Sequence, residues 1–321
     1  MKIYEAIETF NKQFAFLPKI ENAARLVRRK KILVAGMGGS HLAADLLRIV
    51  RPHIDIMTYS DYGLPPVDIR DRLIIASSYS GNTEEAVSAF EEARRRELPC
   101  AVIAMGGKLL KLAKRFRVPY VQLPDLGLEP RMALGFSLMA FFSLAGDRTA
   151  IRDAAQLLGT LRPAAFESKG KKLAATLKGK VPIIYASARN APLSYIWKIK
   201  FNETGKVPAY MNVLPELNHN EMNGFDVTAE TRALSERFHF LFITDENDDP
   251  RVRKRMRILH QLYHARKLQA TEIALRGKSL LERAVTSLVL ADWAAYYTAL
   301  GHGGSPDGVP IVEEFKRLIK E

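Results

Sequence analysis

Short apolar runs alternate with amphipathic helical stretches along the first part of this chain. That alternation restricts the fold more than any other feature. The runs are KILVAG (31–36), IDIMTY (54–59), LIIASS (73–78), AVIAM (101–105) and YVQL (120–123), with helical patterns such as HLAADLLRIV and NTEEAVSAFEEARRR between them. Nearly continuous apolar strands separated by helices must pair in parallel, because a parallel neighbour needs a crossover long enough to hold a helix. The predicted outcome is a parallel sheet with helices on both faces, a doubly wound α/β unit. A long helical region follows, from about 131 to 178, and the pattern then restarts with VPIIYASA (181–188), HFLFIT (239–244) and QATEIA (269–274). The helices APLSYIWKIKFNETG, a basic stretch and 279–300 complete it, and the turn GHGGSPDGVP (301–310) precedes a last short helix, IVEEFKRLIK. Two α/β halves are expected, 1–150 and 151–321, alike in pattern rather than in residues.

Composition removes several function classes. With 321 residues, 47% of them hydrophobic, the chain can bury a sizeable core. No apolar run reaches membrane-spanning length, and the acidic, helical start MKIYEAIETFNKQF does not read as a signal peptide, so a cytoplasmic protein without a membrane partner is expected. Cys100 is the single cysteine, which rules out an intrachain disulfide and a cysteine metal cluster, and its setting CAVIA reads as core strand. The formal net charge is +13, with basic runs at RRKK (28–31), RRR (94–96) and RVRKRMR (251–257). These runs are scattered and lack interleaved aromatics. They read as solvated helix surface that weakly attracts anionic substrates, not as a nucleic-acid interface.

The third apolar run ends in SSYSGNTEEAV (77–87), where hydroxyl side chains crowd one glycine just ahead of a helix. A strand that turns sharply into a helix exposes free N–H groups at the helix start, and these donors with the helix dipole favour an anion. Ser78, Ser80 and Thr83 add hydroxyls, and Gly81 permits the sharp turn. An ordinary helix cap, by Asn82 or Thr83, needs only one such side chain. The loop has no lysine, and the G-x-x-x-x-G-K-[ST] pattern of a triphosphate-binding loop is absent. A compact phosphate monoester held by neutral donors fits best. The first apolar run ends in GMGGSH (36–41), which nearly matches the dinucleotide fingerprint but has His41 in place of its third glycine. Gly38, Gly39 and Ser40 can instead line the same phosphate pocket.

GMGGS followed by SSYSGNTEE resembles a sugar isomerase (SIS) domain. The resemblance implies a flavodoxin-like fold that binds phosphosugars, with Gly39, Ser40, Ser78, Ser80 and Thr83 at the phosphate. In the second half, Glu203 falls near a helix end, and Glu216, His219 and Glu221 cluster after a short strand. A carboxylate and an imidazole are the groups needed to open a sugar ring and carry a proton between two carbons. NETGKVPA and ELNHNE, together with PRMALGFSL (130–138) and PIVEEFK (310–316), are similar to the bifunctional phosphoglucose/phosphomannose isomerase family, which has two SIS domains. That resemblance spans nearly the whole chain. It implies a homodimer acting on hexose 6-phosphates without cofactor or metal. Glu203 is then the general base, His219 assists ring opening from the other subunit, Arg131 stabilises the enediolate, and Lys316 contacts substrate near the ring oxygen.

Two other classes stand beside this reading. A non-catalytic phosphosugar-binding regulator would keep the serine loop without needing Glu203 or His219, although no helix-turn-helix pattern precedes the strand at Lys31. A nicotinamide dehydrogenase would use GMGGSH. Among the remaining polar groups, His260 and His264 lack the glutamate of a zinc helix, TDENDDP (244–250) lacks calcium-loop spacing and reads as a turn, and His302 is expected to serve backbone geometry.

Overall fold

The computed structural model describes residues 1–319. It divides into two compact units, Met1–Arg162 and Pro163–Glu321. The expected join near residue 150 falls inside a helix whose Ala150, Ala154 and Leu157 are buried.

The first unit contains, in order, α1 (Ile3–Glu8), β1 (Ile20–Glu21), β2 (Lys31–Ala35), α2 (Gly39–Val50), β3 (Asp55–Tyr59), β4 (Arg72–Ser78), α3 (Glu84–Arg95), β5 (Cys100–Ala104), α4 (Gly107–Phe116), β6 (Tyr120–Gln122), α5 (Leu134–Ala145) and α6 (Arg148–Thr160). Among the described residues its sheet has six strands in the order β1-β6-β5-β4-β2-β3. Every pairing is parallel except that of the short edge strand β1 with β6. Numbered along the chain, the parallel strands lie in the order 2-1-3-4-5, the flavodoxin arrangement, whose switch point falls between β2 and β4. The register sets Ala35 opposite Ala76 and Ser78 opposite Ala104, so the loops after β2, β4 and β5 leave the sheet at similar heights.

Local chemistry explains the elements. β4 is buried along its whole length, as its apolar run requires. On α3, Ala86, Ala89, Phe90 and Ala93 recur at helical spacing and are buried, with Glu84 and Glu85 in the first turn and Arg94 and Arg95 in the last, each complementing the helix dipole. The long helical region predicted from about 131 to 178 is three helices. Gly146, at φ 76°, ends α5 in the left-handed conformation, and the Asp147 carboxylate caps α6 by accepting the Ala150 N–H at 2.8 Å. Cys100 opens β5, and burial pushes its thiol up to about 11.

The second unit contains α7 (Glu167–Thr176), β7 (Val181–Ser187), α8 (Ala191–Glu203), β8 (Tyr210–Leu214), α9 (Arg232–Ser235), β9 (Phe238–Thr244), α10 (Pro250–Ala265), β10 (Gln269–Ala274), α11 (Leu280–Gly301) and α12 (Pro310–Leu318). Among the described residues its sheet has four parallel strands in the order β10-β9-β7-β8, so chain order 2-1-3-4 recurs. Tyr185, Phe240, Phe242 and Tyr263 form an aromatic core over this sheet. Gly170 lets α7 approach α11 closely, since a Cβ there would sit 2.3 Å from that of Trp293. As expected, TDENDDP is a turn: Asp249 caps α10 by accepting the Arg251 N–H. His302 holds backbone, with Nε2 accepting the Gly179 N–H at 3.2 Å. No helix among the described residues is long and apolar enough to cross a membrane.

Candidate active site

The hydroxyl loop and the glycine turn meet at the switch point of the first unit. Gly38 has φ 49° and ψ −126°, a conformation open to glycine, and it delivers the chain into α2. A Cβ on Gly36 would lie 2.6 Å from the Ser77 carbonyl oxygen, and one on Gly39 would lie 2.9 Å from the carbonyl carbon of Pro130. The turn therefore sits hard against β4 on one side and against the Pro130–Arg131 backbone on the other. Ser77 Oγ donates to the Ser40 carbonyl at 2.7 Å, and Ser40 Oγ accepts the Tyr79 N–H at 2.9 Å. Ser40 is thus bound into β4 from both its backbone and its side chain.

The Ser78–Thr83 turn is held mainly by its own hydroxyls. Ser78 Oγ accepts the Gly81 N–H at 3.0 Å and lies 2.8 Å from Thr83 Oγ1. Thr83 occupies the helix N-cap position, yet its side chain makes no cap hydrogen bond and turns to Ser78. Ser78 is fully buried, Thr83 is half-buried and Ser80 is exposed. The sequence treats the three hydroxyls alike. The structure separates them, with Ser78 organising the turn and Ser80 facing solvent.

A third loop, AMGGKLL (104–110), completes this arrangement, and the sequence reading assigned none of its residues to the phosphate. Met105 N–H donates to the Tyr79 carbonyl at 2.9 Å, Lys108 N–H to Asn82 Oδ1 at 3.0 Å, and Leu109 N–H to the Gly81 carbonyl at 2.8 Å. Gly81 and Gly107 both have positive φ and cross so closely that a Cβ on Gly81 would fall 1.8 Å from the Gly106 carbonyl oxygen. The paired glycines of AMGGKLL were the available signal. We expect Gly81→Ala to cost more than about 1 kcal/mol, because positive φ and backbone overlap act together. Calorimetric unfolding and titration with inorganic phosphate should show a lower midpoint and weaker binding, and an unchanged midpoint would disprove the overlap.

Arg131 lies in a short 3₁₀ turn, Pro130–Met132, and is 1% exposed, with Nη1 donating to Glu129 at 3.3 Å. Its backbone borders the glycine turn at Gly39.

The second unit carries the other predicted residues on separate elements. Glu203 is the last residue of α8 and is half-buried, and its carbonyl accepts from Lys206 Nζ at 2.6 Å. His219 ends a 3₁₀ turn (Glu216–His219) and is exposed. The segment bearing it is pinned by Glu221, whose carboxylate accepts from Tyr185 Oη and from Asn212 Nδ2, both at 2.5 Å. Glu216 accepts from Asn220 instead, at 2.9 Å. Burial, reinforced by Tyr263 and Glu221, pushes the Tyr185 phenol far above the usual range, so it serves as a donor. Lys316 lies on the exposed helix α12 and donates to Glu313 at 2.9 Å, so it is not drawn toward Glu203 or His219 by any described hydrogen bond.

The matching switch point of the second unit, between β7 and β9, is built differently. Ser187 Oγ donates to Asp248 at 2.8 Å, and Asn190 Nδ2 reaches both Asp245 and Asp248. Arg283 pairs with Asp245 at 3.2 Å, and burial raises the Asp248 carboxyl. Buried acids stand where the first unit has serines, so a phosphate is disfavoured there.

Comparison with known proteins follows this division. Residues 166–319 match the family described as bacterial phospho-glucose isomerase C-terminal SIS domain. A bifunctional phosphoglucose/phosphomannose isomerase of Aquifex aeolicus is 32% identical, covering 100% of this chain and 99% of its own. One of Caldicellulosiruptor bescii is 31% identical over 99% and 98%. Among solved structures, the C-terminal domain of glucosamine-fructose-6-phosphate aminotransferase from Francisella tularensis aligns with a TM-score of 0.71 over 95% of this chain and 96% of its own, at 14% identity, a likeness of fold.

Proposed function

The chain belongs to the bifunctional phosphoglucose/phosphomannose isomerase family, and on that premise we propose that it interconverts glucose 6-phosphate and mannose 6-phosphate with fructose 6-phosphate. The observation that carries the reading is the serine–glycine turn at the switch point of the first unit, which offers neutral donors to a phosphate monoester. Gly39 and Ser40 of the glycine turn and Ser80 and Thr83 of the hydroxyl loop hold the phosphate, and Ser78 keeps the loop in shape as well as lining it.

The chemistry needs only proton movement. Removing the C2 proton of an open-chain aldose 6-phosphate puts negative charge on the carbonyl oxygen O1; passing the O2 hydroxyl proton to O1 and returning the carbon-bound proton to C1 of the cis-enediolate gives the ketose. Glu203 carries that proton. His219 moves a proton between the ring oxygen and O1 as the ring opens, acting from the partner subunit of a homodimer. Arg131 is a cation that cannot lose its proton and balances the enediolate charge. Lys316 binds near the ring oxygen after releasing Glu313, an exposed pair worth little. Glucose and mannose 6-phosphates differ at C2 alone and collapse to one enediolate, so a single base serves both.

A homodimer is supported by α12, whose Ile311 and Phe315 are 78% and 61% exposed. The protein works in the cytoplasm, where its phosphorylated substrates are kept. A regulator that only binds phosphosugar is disfavoured by full-length similarity to isomerases. The test is an assay with each of the three hexose 6-phosphates, with and without a strong chelator. All three should interconvert at rates the chelator leaves unchanged. Loss of turnover on chelation would overturn the metal-free route, and no turnover at all would overturn the isomerase reading.

A further inference from the structure

Tyr79 sits in the middle of the serine loop, and the phosphate chemistry assigns it nothing. Its backbone is fixed on both sides, with the N–H on Ser40 Oγ and the carbonyl accepting from Met105, each at 2.9 Å. The side chain is buried, at 6% exposure, as are those of Ser40, Ser77 and Ser78. Among the described residues, its Oη is the buried side-chain polar atom of the first unit that has no hydrogen-bond partner. Burial, with the Asp125 carboxylate adding to it, pushes the phenol up to about 12, so the group is a neutral hydroxyl with a proton to donate.

An unpaired buried hydroxyl destabilises a fold, and a phenylalanine of the same shape would avoid that. The hydroxyl has no hydrogen-bond partner among the described residues, and it belongs to the residue between Ser78 and Ser80 of the turn that offers neutral donors. We propose that Tyr79 is a substrate-binding residue whose hydroxyl donates to an oxygen of the bound phosphosugar. This proposal rests on the isomerase reading of the site and names a further residue in it. In the free protein the hydroxyl is shielded. It gains its partner when the ligand enters and the Ser80 segment, which is exposed, adjusts around it.

The substitution Tyr79→Phe tests this because binding and stability should respond with opposite signs. KM for glucose 6-phosphate should rise about tenfold, as expected for one lost hydrogen bond to a charged or polyhydroxylated ligand. The unfolding midpoint without ligand should stay the same or rise. Inhibition by inorganic phosphate then identifies the acceptor. An inhibition constant that rises in step with KM assigns a phosphate oxygen, and an unchanged constant assigns a sugar hydroxyl. A KM within twofold of the parent overturns the proposal. So does a marked fall in the midpoint, which would mean that the hydroxyl is already paired in the free protein. Calorimetric titration of glucose 6-phosphate into both proteins separates this proposal from the isomerase reading. A protein that binds the sugar phosphate more weakly as Tyr79→Phe, yet turns nothing over, keeps the contact and loses the reaction, and equal binding by the two proteins removes the contact.

Discussion

Replacing Glu203 with glutamine is expected to lower kcat on glucose 6-phosphate by about a thousandfold, within the range of a lost general base. The amide keeps the shape of the side chain but cannot accept a carbon-bound proton. Glu203 ends α8 and is half-buried, and the hydrogen bond from Lys206 goes to its carbonyl, which the substitution keeps. Because the amide has nearly the size and shape of the carboxylate, KM should change far less than kcat. That split marks an interaction made in the transition state rather than in the bound ground state. Exchange of the C2 proton with solvent, followed by NMR in deuterated water, should fall as far as turnover. A variant that still exchanged it at the parent rate would exclude Glu203 as the base.

The largest effect on stability is expected one turn earlier on the same helix. Lys200 Nζ donates to Asp292 of α11, and the two side chains are 2% and 1% exposed. Breaking such a pair from one side leaves a charge buried without its counter-ion, so Asp292→Ala should cost about 3–5 kcal/mol. Replacing both partners with apolar residues of similar size, as in Lys200→Met with Asp292→Leu, should return most of that stability, because neither charge then needs desolvation. Both tryptophans of the chain, Trp197 and Trp293, are buried in the second unit, so their fluorescence during denaturant unfolding reports the unit that holds the pair. A single substitution costing less than about 1 kcal/mol would show that the pair is solvated or dispensable.

Much of the proposed site was legible in order along the chain. GMGGS and SSYSGNT are contiguous, and each follows an apolar strand and opens a helix, so the anion-binding chemistry proposed for them is local. Glu203 at a helix end could be placed from APLSYIWKIKFNETG. Three features could not be read this way. Gly107 matters because its backbone crosses that of Gly81, 26 residues away by the numbering of the loops they belong to. Glu221 rather than Glu216 anchors the His219 segment because Tyr185, on a strand 36 residues earlier, points its hydroxyl there. The long helical stretch from 131 onward was read as continuous since Gly146 and Asp147 act as stop and start only in the conformations they adopt.

The sequence by itself determined the alternation of strand and helix, the parallel sheets that follow from it, and the loops proposed to take a phosphate. These depend on side-chain period, glycine and hydroxyl content within a few residues, and such short-range preferences are written in chain order. Only the tertiary structure decided that Ser78 turns inward while Ser80 stays exposed, that the second switch point is closed by Asp245 and Asp248, and that Lys200 finds Asp292 across 92 residues. Burial and partner choice depend on which distant segments come together when the core closes, and no local pattern encodes that distance.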